Sequence, residues 1–154
     1  METIKTNYDW NTAVALVKTA FERTRGIKTY TQEGNTITGK TGASLGSYGE
    51  QVLAECVPPG GNETAGTIIT VTGEKEVDMN ITANPQKYVQ RFVSQVHTLN
   101  GQPPDQIMAE AQQILSQGQS KEVADANQQA SGQWLVYLVV AVSFLFFFMM
   151  MASL

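Results

Sequence analysis

The chain has 154 residues, with ten Lys and Arg against fourteen Asp and Glu, a net charge of −4. That length allows one domain and little else. The acidic balance is a poor match for nucleic acid, whose binding is driven by basic groups on phosphates, and it argues against a polybasic membrane-surface binder. The single cysteine, Cys56, cannot close an internal disulfide, which favours a reducing compartment.

The N-terminus, Met1-Glu-Thr-Ile-Lys-Thr-Asn-Tyr8, lacks the apolar run of a signal peptide. Ile4, Thr6 and Tyr8 alternate with Thr3, Lys5 and Asn7, which predicts a first strand. Asp9 stands where a helix N-cap belongs. Trp10, Ala13, Val14, Val17, Ala20 and Phe21 follow at helical spacing, and Gly26 is the expected left-handed cap. Two strands are expected over Ile27–Gln32 and Thr36–Lys40, around a turn at Glu33-Gly34-Asn35. Glu50–Val57 alternates Val52, Ala54 and Cys56 against Gln51, Leu53 and Glu55, so Cys56 reads as a small core residue. Thr67–Thr72 is the next strand, after the loop Pro58-Pro-Gly-Gly-Asn62. Val77, Met79 and Ile81 suggest a further short segment. Asn84-Pro85 is a strong helix start, and Val89, Phe92, Val93, Val96 and Leu99 form its apolar stripe.

The expected fold is therefore α+β. An antiparallel sheet of about four to five strands carries two helices on one face, in the order strand, helix, four strands, helix. That order is similar in shape to the TATA-binding-protein-like and helix-grip topologies, a likeness that carries no function.

Beyond residue 100 the chain changes character. Asp105 is the expected cap of a third helix with Ile107, Met108, Ala111, Ile114 and Leu115 on one side, a face that either packs on the domain, lies on the membrane or contacts a partner helix. Gly118–Gln133 is rich in Gln, Ser, Ala and Asn; it is either a flexible linker spanning about 20–25 Å or, through its alanines and glutamines, an upstream extension of the anchor helix into water. Trp134–Leu154 contains no charged side chain, and its 21 residues as a helix span about 31 Å, close to the hydrocarbon thickness of a bilayer. Trp134 and Tyr137 suit the headgroup zone. Phe144, Phe146, Phe147, Phe148, Met149, Met150 and Met151 face either lipid or a neighbouring membrane helix. The division expected is a soluble domain at 1–100, an amphipathic helix and linker at 101–133, and a transmembrane anchor at 134–154. Lys121 precedes the anchor and no Lys or Arg follows it, which favours a cytoplasmic N-terminal domain. The sequons at Asn62 and Asn80 read as ordinary loop and strand residues.

Motifs that suggest chemistry are few. Gly34-Asn-Thr-Ile-Thr-Gly-Lys-Thr41 matches the phosphate-binding pattern GxxxxGK[ST]. That motif works only between a strand and a helix, and here its centre reads as strand. The run Gly42–Gly49 reads as a link between strands. His97, the only histidine, has no ligand-spaced companion, and Glu74, Glu76 and Asp78 form a solvated acidic patch. No catalytic residue, metal ligand or cofactor is expected.

The stretch Ile37-Thr-Gly-Lys-Thr-Gly-Ala-Ser-Leu-Gly-Ser-Tyr-Gly-Glu-Gln-Val52 resembles a signature of short, uncharacterised bacterial membrane-associated α+β domains: a Gly-x-Thr, a Ser-Leu-x-Ser, an aromatic-Gly-Glu, an alternating strand, and a helix opening near an Asn. The resemblance covers about residues 1–99. Tyr48 stands where Trp is expected, and the Gly-Lys before Asn84 is missing. It implies the fold, a bacterial origin and attachment to a membrane segment, and it supplies no activity. The function expected is a non-catalytic, single-pass accessory or scaffold subunit of a membrane protein assembly. Its partners would be membrane lipid and other membrane subunits or copies of itself, with no nucleic acid. The alternative is a binding module for a small apolar or lipid ligand held between sheet and helix.

Overall fold

The computed structural model describes residues 1–42, 49–61, 66–75, 83–118 and 120–123. The expected anchor, both sequons, Glu76, Asp78, Val77, Met79, Ile81 and most of the Gly42–Gly49 run lie outside them. The strands are β1 (Glu2–Thr6), β2 (Thr29–Glu33), β3 (Thr36–Lys40), β4 (Glu50–Val57) and β5 (Thr67–Lys75). The α-helices are α1 (Trp10–Arg23), α2 (Pro85–Leu99) and α3 (Pro104–Ser116).

All five strands form one antiparallel sheet in the order β1-β5-β4-β3-β2. The period-2 pattern decides which face is buried. In β4, Val52, Ala54 and Cys56 are sealed while Gln51, Leu53, Glu55 and Val57 lie on the other side. The fold is thus α+β with five antiparallel strands, and α1 and α2 pack on one face of the sheet.

A row across the sheet shows how the helices seat. Gly39, Val52 and Gly73 are direct cross-strand neighbours. A Cβ on Gly39 would lie 2.4 Å from the Phe21 ring of α1, and one on Gly73 would lie 2.6 Å from Val89 of α2. The two glycines are notches on either side of Val52, each receiving one helix, the close approach that an in-strand glycine permits. The rings complete the seal. Phe21 stacks on Phe92 at 4.2 Å between centroids and on Tyr30 at 5.7 Å, and all three are buried.

The local signals at the helix starts hold. Asp9 Oδ1 accepts from the Thr12 amide at 3.0 Å, and Asn84 Oδ1 accepts from the Lys87 amide at 3.3 Å. Two expectations fail. α1 ends at Arg23 with an extended Thr24 as its cap residue, so Gly26 does not cap it. α3 begins one residue before Asp105 and has Pro103 as cap with no side-chain bond, leaving Asp105 in the first turn, where its charge favours the helix dipole.

The compact unit runs from Met1 to Val123, taking in α3 and the residues after it, which the sequence assigns to a separate stretch. Two interactions explain this. Ile107 of α3 is fully buried against the core, and Glu110 makes two bonds to the Arg23 guanidinium, at 2.8 and 2.7 Å.

Candidate functional site: the tail junction and a basic groove

Ser120–Val123 is built into the fold. The Tyr30 amide donates to the Lys121 carbonyl at 3.0 Å, and the Val123 amide donates to the Tyr30 carbonyl at 2.9 Å. These bonds lay the segment parallel to β2 and cover an otherwise open sheet edge. Side chains lock it. The Lys121 ammonium donates to the carbonyls of Phe21, Glu22 and Thr24 at the C-terminal end of α1, where a cation also favours the helix dipole. Glu22 Oε1 accepts from the Lys121 amide at 2.7 Å and from Ser120 Oγ at 2.8 Å, and Lys18 pairs with Glu122.

The five apolar residues singled out on α3 divide. Ile107 is buried, Ala111 and Ile114 are half-buried, and Met108 and Leu115 remain exposed at 36% and 55%. Most of the stripe is thus spent holding α3 to α1, and two side chains seven residues apart stay available. The crevice beside Ala111, Ile114 and Tyr30 holds about 20 Å³, too little for a ligand larger than water.

The second feature is electrostatic. An open groove of about 440 Å³ runs between the end of α1 and the outer side of α2, and Arg23, Arg25, Lys87 and Arg91 line it with no carboxylate among its walls. Arg23 is held by Glu110; Arg25, Lys87 and Arg91 have no carboxylate partner among the described residues. The groove is organised around Tyr88. The chain at Gly26, with φ +103°, passes so close to that ring that a Cβ would lie 2.5 Å from it. Lys87 and Arg91 stand over the ring at 5.8 and 5.6 Å, and Arg91 also donates to the Arg25 carbonyl at 3.2 Å. Thr24, whose carbonyl Lys121 caps, lines the same groove, so tail junction and groove share one end of the molecule.

The motif Gly34–Thr41 forms no phosphate loop. Gly34 is in the β2–β3 turn, residues 36–40 are a strand paired on both sides, and Thr41 Oγ1 donates to Glu50 Oε2 at 2.8 Å. Glu50, the Glu of the aromatic-Gly-Glu run, is 8% exposed and also accepts from the Asn84 amide at 3.2 Å. It therefore ties the end of β4 to the start of α2. His97 lies exposed on α2. Among the described residues no His, Cys, Asp and Glu group could hold a metal, and no helix is long and apolar enough to cross a membrane.

Burial pushes the Cys56 thiol up to about 12, with Glu55 adding to the effect, and burial likewise raises the Tyr30 phenol. In each case the folded pKa exceeds the unfolded one. The unfolded chain then sheds protons first, and stability present below pH 9 is lost as pH climbs toward about 12. Lys121 acts oppositely: burial lowers it from 10.5 despite the opposing pull of Glu22, so its contribution grows with pH just below that value. Urea midpoints measured from pH 8 upward are expected to fall, and Cys56→Ala is expected to flatten the first part of that decline. An unchanged slope in the variant would refute the Cys56 assignment.

No family model matches the chain, and no curated protein or solved structure matches it at a significant level.

Proposed function

We propose that this chain is a non-catalytic, single-pass membrane-anchored accessory or scaffold subunit, with its α+β head on the cytoplasmic side and Trp134–Leu154 as the anchor. The observation that carries the reading is the tail junction. The segment leading to the apolar stretch is hydrogen-bonded to β2 and ion-paired to α1, so the head leaves its tether at a fixed point. A head held in that way presents constant faces to a neighbour. The Cys56 thiol, buried and protonated at neutral pH, suits a packing role rather than a nucleophilic one. The packing of Phe21, Phe92, Ile37 and Val52 between helices and sheet favours this reading over an enclosed apolar ligand.

Met108 and Leu115 are the contact residues we assign to a neighbouring subunit. Gentle detergent extraction from the native membrane, followed by sizing and mass spectrometry, is expected to return a complex. Met108→Ser with Leu115→Ser is expected to disperse it while changing stability by no more than about 0.5 kcal/mol per site, since both side chains are exposed. A monomer with no copurifying protein would overturn the proposal.

A further inference from the structure

We infer that the groove between α1 and α2 is a docking surface for anionic phospholipid headgroups of the membrane to which the chain is tethered. The inference rests on the anchor proposed above. The net charge of −4 conceals the groove, because four of the ten basic residues meet here and no carboxylate stands among its lining residues, Glu110 reaching only Arg23. Three of the four lack a carboxylate partner among the described residues. Holding like charges together costs free energy, and a solvated surface would let them splay. Here they are fixed instead: Tyr88 supports Lys87 and Arg91 from beneath, and Arg91 is tied to the Arg25 backbone. Fixed cations around an open trough match a layer of phosphate and carboxylate groups.

The tether makes lipid the favoured occupant over a soluble anion. Lys121 binds the Thr24 carbonyl at the rim of the groove, so the last described segment of the chain is fixed beside it. Ten residues separate Val123 from Trp134 and reach at most roughly 40 Å when fully extended. A tether of that reach raises the effective concentration of headgroups around the groove above that of any soluble anion. Attraction of this kind acts within about one Debye length, roughly 8–10 Å, and falls with salt.

The test uses the full chain in nanodiscs of phosphatidylcholine alone or with roughly one-third phosphatidylserine. A fluorophore is placed through Ser94→Cys, an exposed position lining the groove; the native Cys56 is buried and does not compete for the label. Both discs carry a headgroup-linked quencher. Quenching is expected in the anionic discs and not in the neutral ones, and it should fade as salt is raised. Arg25→Gln is expected to lower the docked-to-free ratio about fivefold, and Arg25→Gln with Lys87→Gln about twenty-five-fold. Gln90→Glu, which touches none of the supporting contacts, should act in the same direction and guards against a misfolded variant.

Equal quenching in both discs, or quenching unaffected by the three substitutions, overturns the proposal. Protection of the label by polyglutamate but not by anionic lipid overturns it in favour of an acidic protein partner. Failure of the anchor is read separately, as a chain that does not co-elute with neutral discs. In that event binding to phosphatidylserine vesicles decides the groove, and no binding rejects it.

Discussion

Phe92→Ala is expected to destabilise the head by about 3–5 kcal/mol, a large share of the roughly 5–15 kcal/mol that holds a domain of this size together. Phe92 is fully buried, and its ring lies 4.2 Å from that of Phe21, which in turn rests on the Gly39 notch. Truncation removes the contact through which α1 and α2 hold each other against the sheet. Phe92→Leu keeps most of the volume and is expected to cost less than half as much. A double-mutant cycle adds a sharper check. Gly39→Ala alone thrusts a methyl against the Phe21 ring and should cost about 1–3 kcal/mol by overpacking. Combined with Phe92→Ala it should cost less, because Phe21 can then move into the space vacated. Urea unfolding of the full chain in non-ionic detergent measures all three. Strict additivity would show that the notch and the aromatic stack are independent, contrary to the packing described.

Lys121→Ala is the second large effect, expected at about 2–3 kcal/mol. Three carbonyls at the end of α1 lose a charged donor, and bonds to charged groups are each worth more than neutral ones. The substitution should also free Ser120–Val123 from β2. Amide exchange reads this locally: the Tyr30 and Val123 amides should lose protection, while those in β4 should change only by the global loss of stability. Lys121→Arg retains the charge but not the compact ammonium, and should restore part of the protection. Protection at Val123 that survives Lys121→Ala would show that the backbone bonds alone hold the segment.

Much of the fold was legible because its signals are local. The alternation of β4 and the caps at Asp9 and Asn84 are each contained within a few residues. What escaped is non-local. Lys121 finds its carbonyls 97–100 positions away, so nothing near it in sequence shows that it closes α1. The groove joins Arg23 and Arg25 to Lys87 and Arg91 across more than sixty positions, and a net charge averages such a concentration away. The pair Lys87 and Arg91, four apart on an expected helix, was the available hint. Gly39 was noticed for a different reason, as a letter in a phosphate-loop pattern. In the fold its missing side chain makes room for Phe21. Glu50 stands in the sequence only as the Glu of an aromatic-Gly-Glu run, because nothing near it shows that Thr41 and Asn84 converge on its carboxylate.

The parallel addition of Ser120–Val123 to β2 has a mechanical side. A pull on the tail from beyond Val123 meets the bonds one after another: the Val123 amide first, then the Glu122–Lys18 pair, then the Lys121 contacts, and the Ser120–Glu22 bond last. Under a load that lifts the segment off the sheet edge, the junction yields stepwise. Load borne by the tether would therefore lengthen its reach by a few residues before the five-stranded sheet carried any of it, making the junction a strain-relief segment between head and tail.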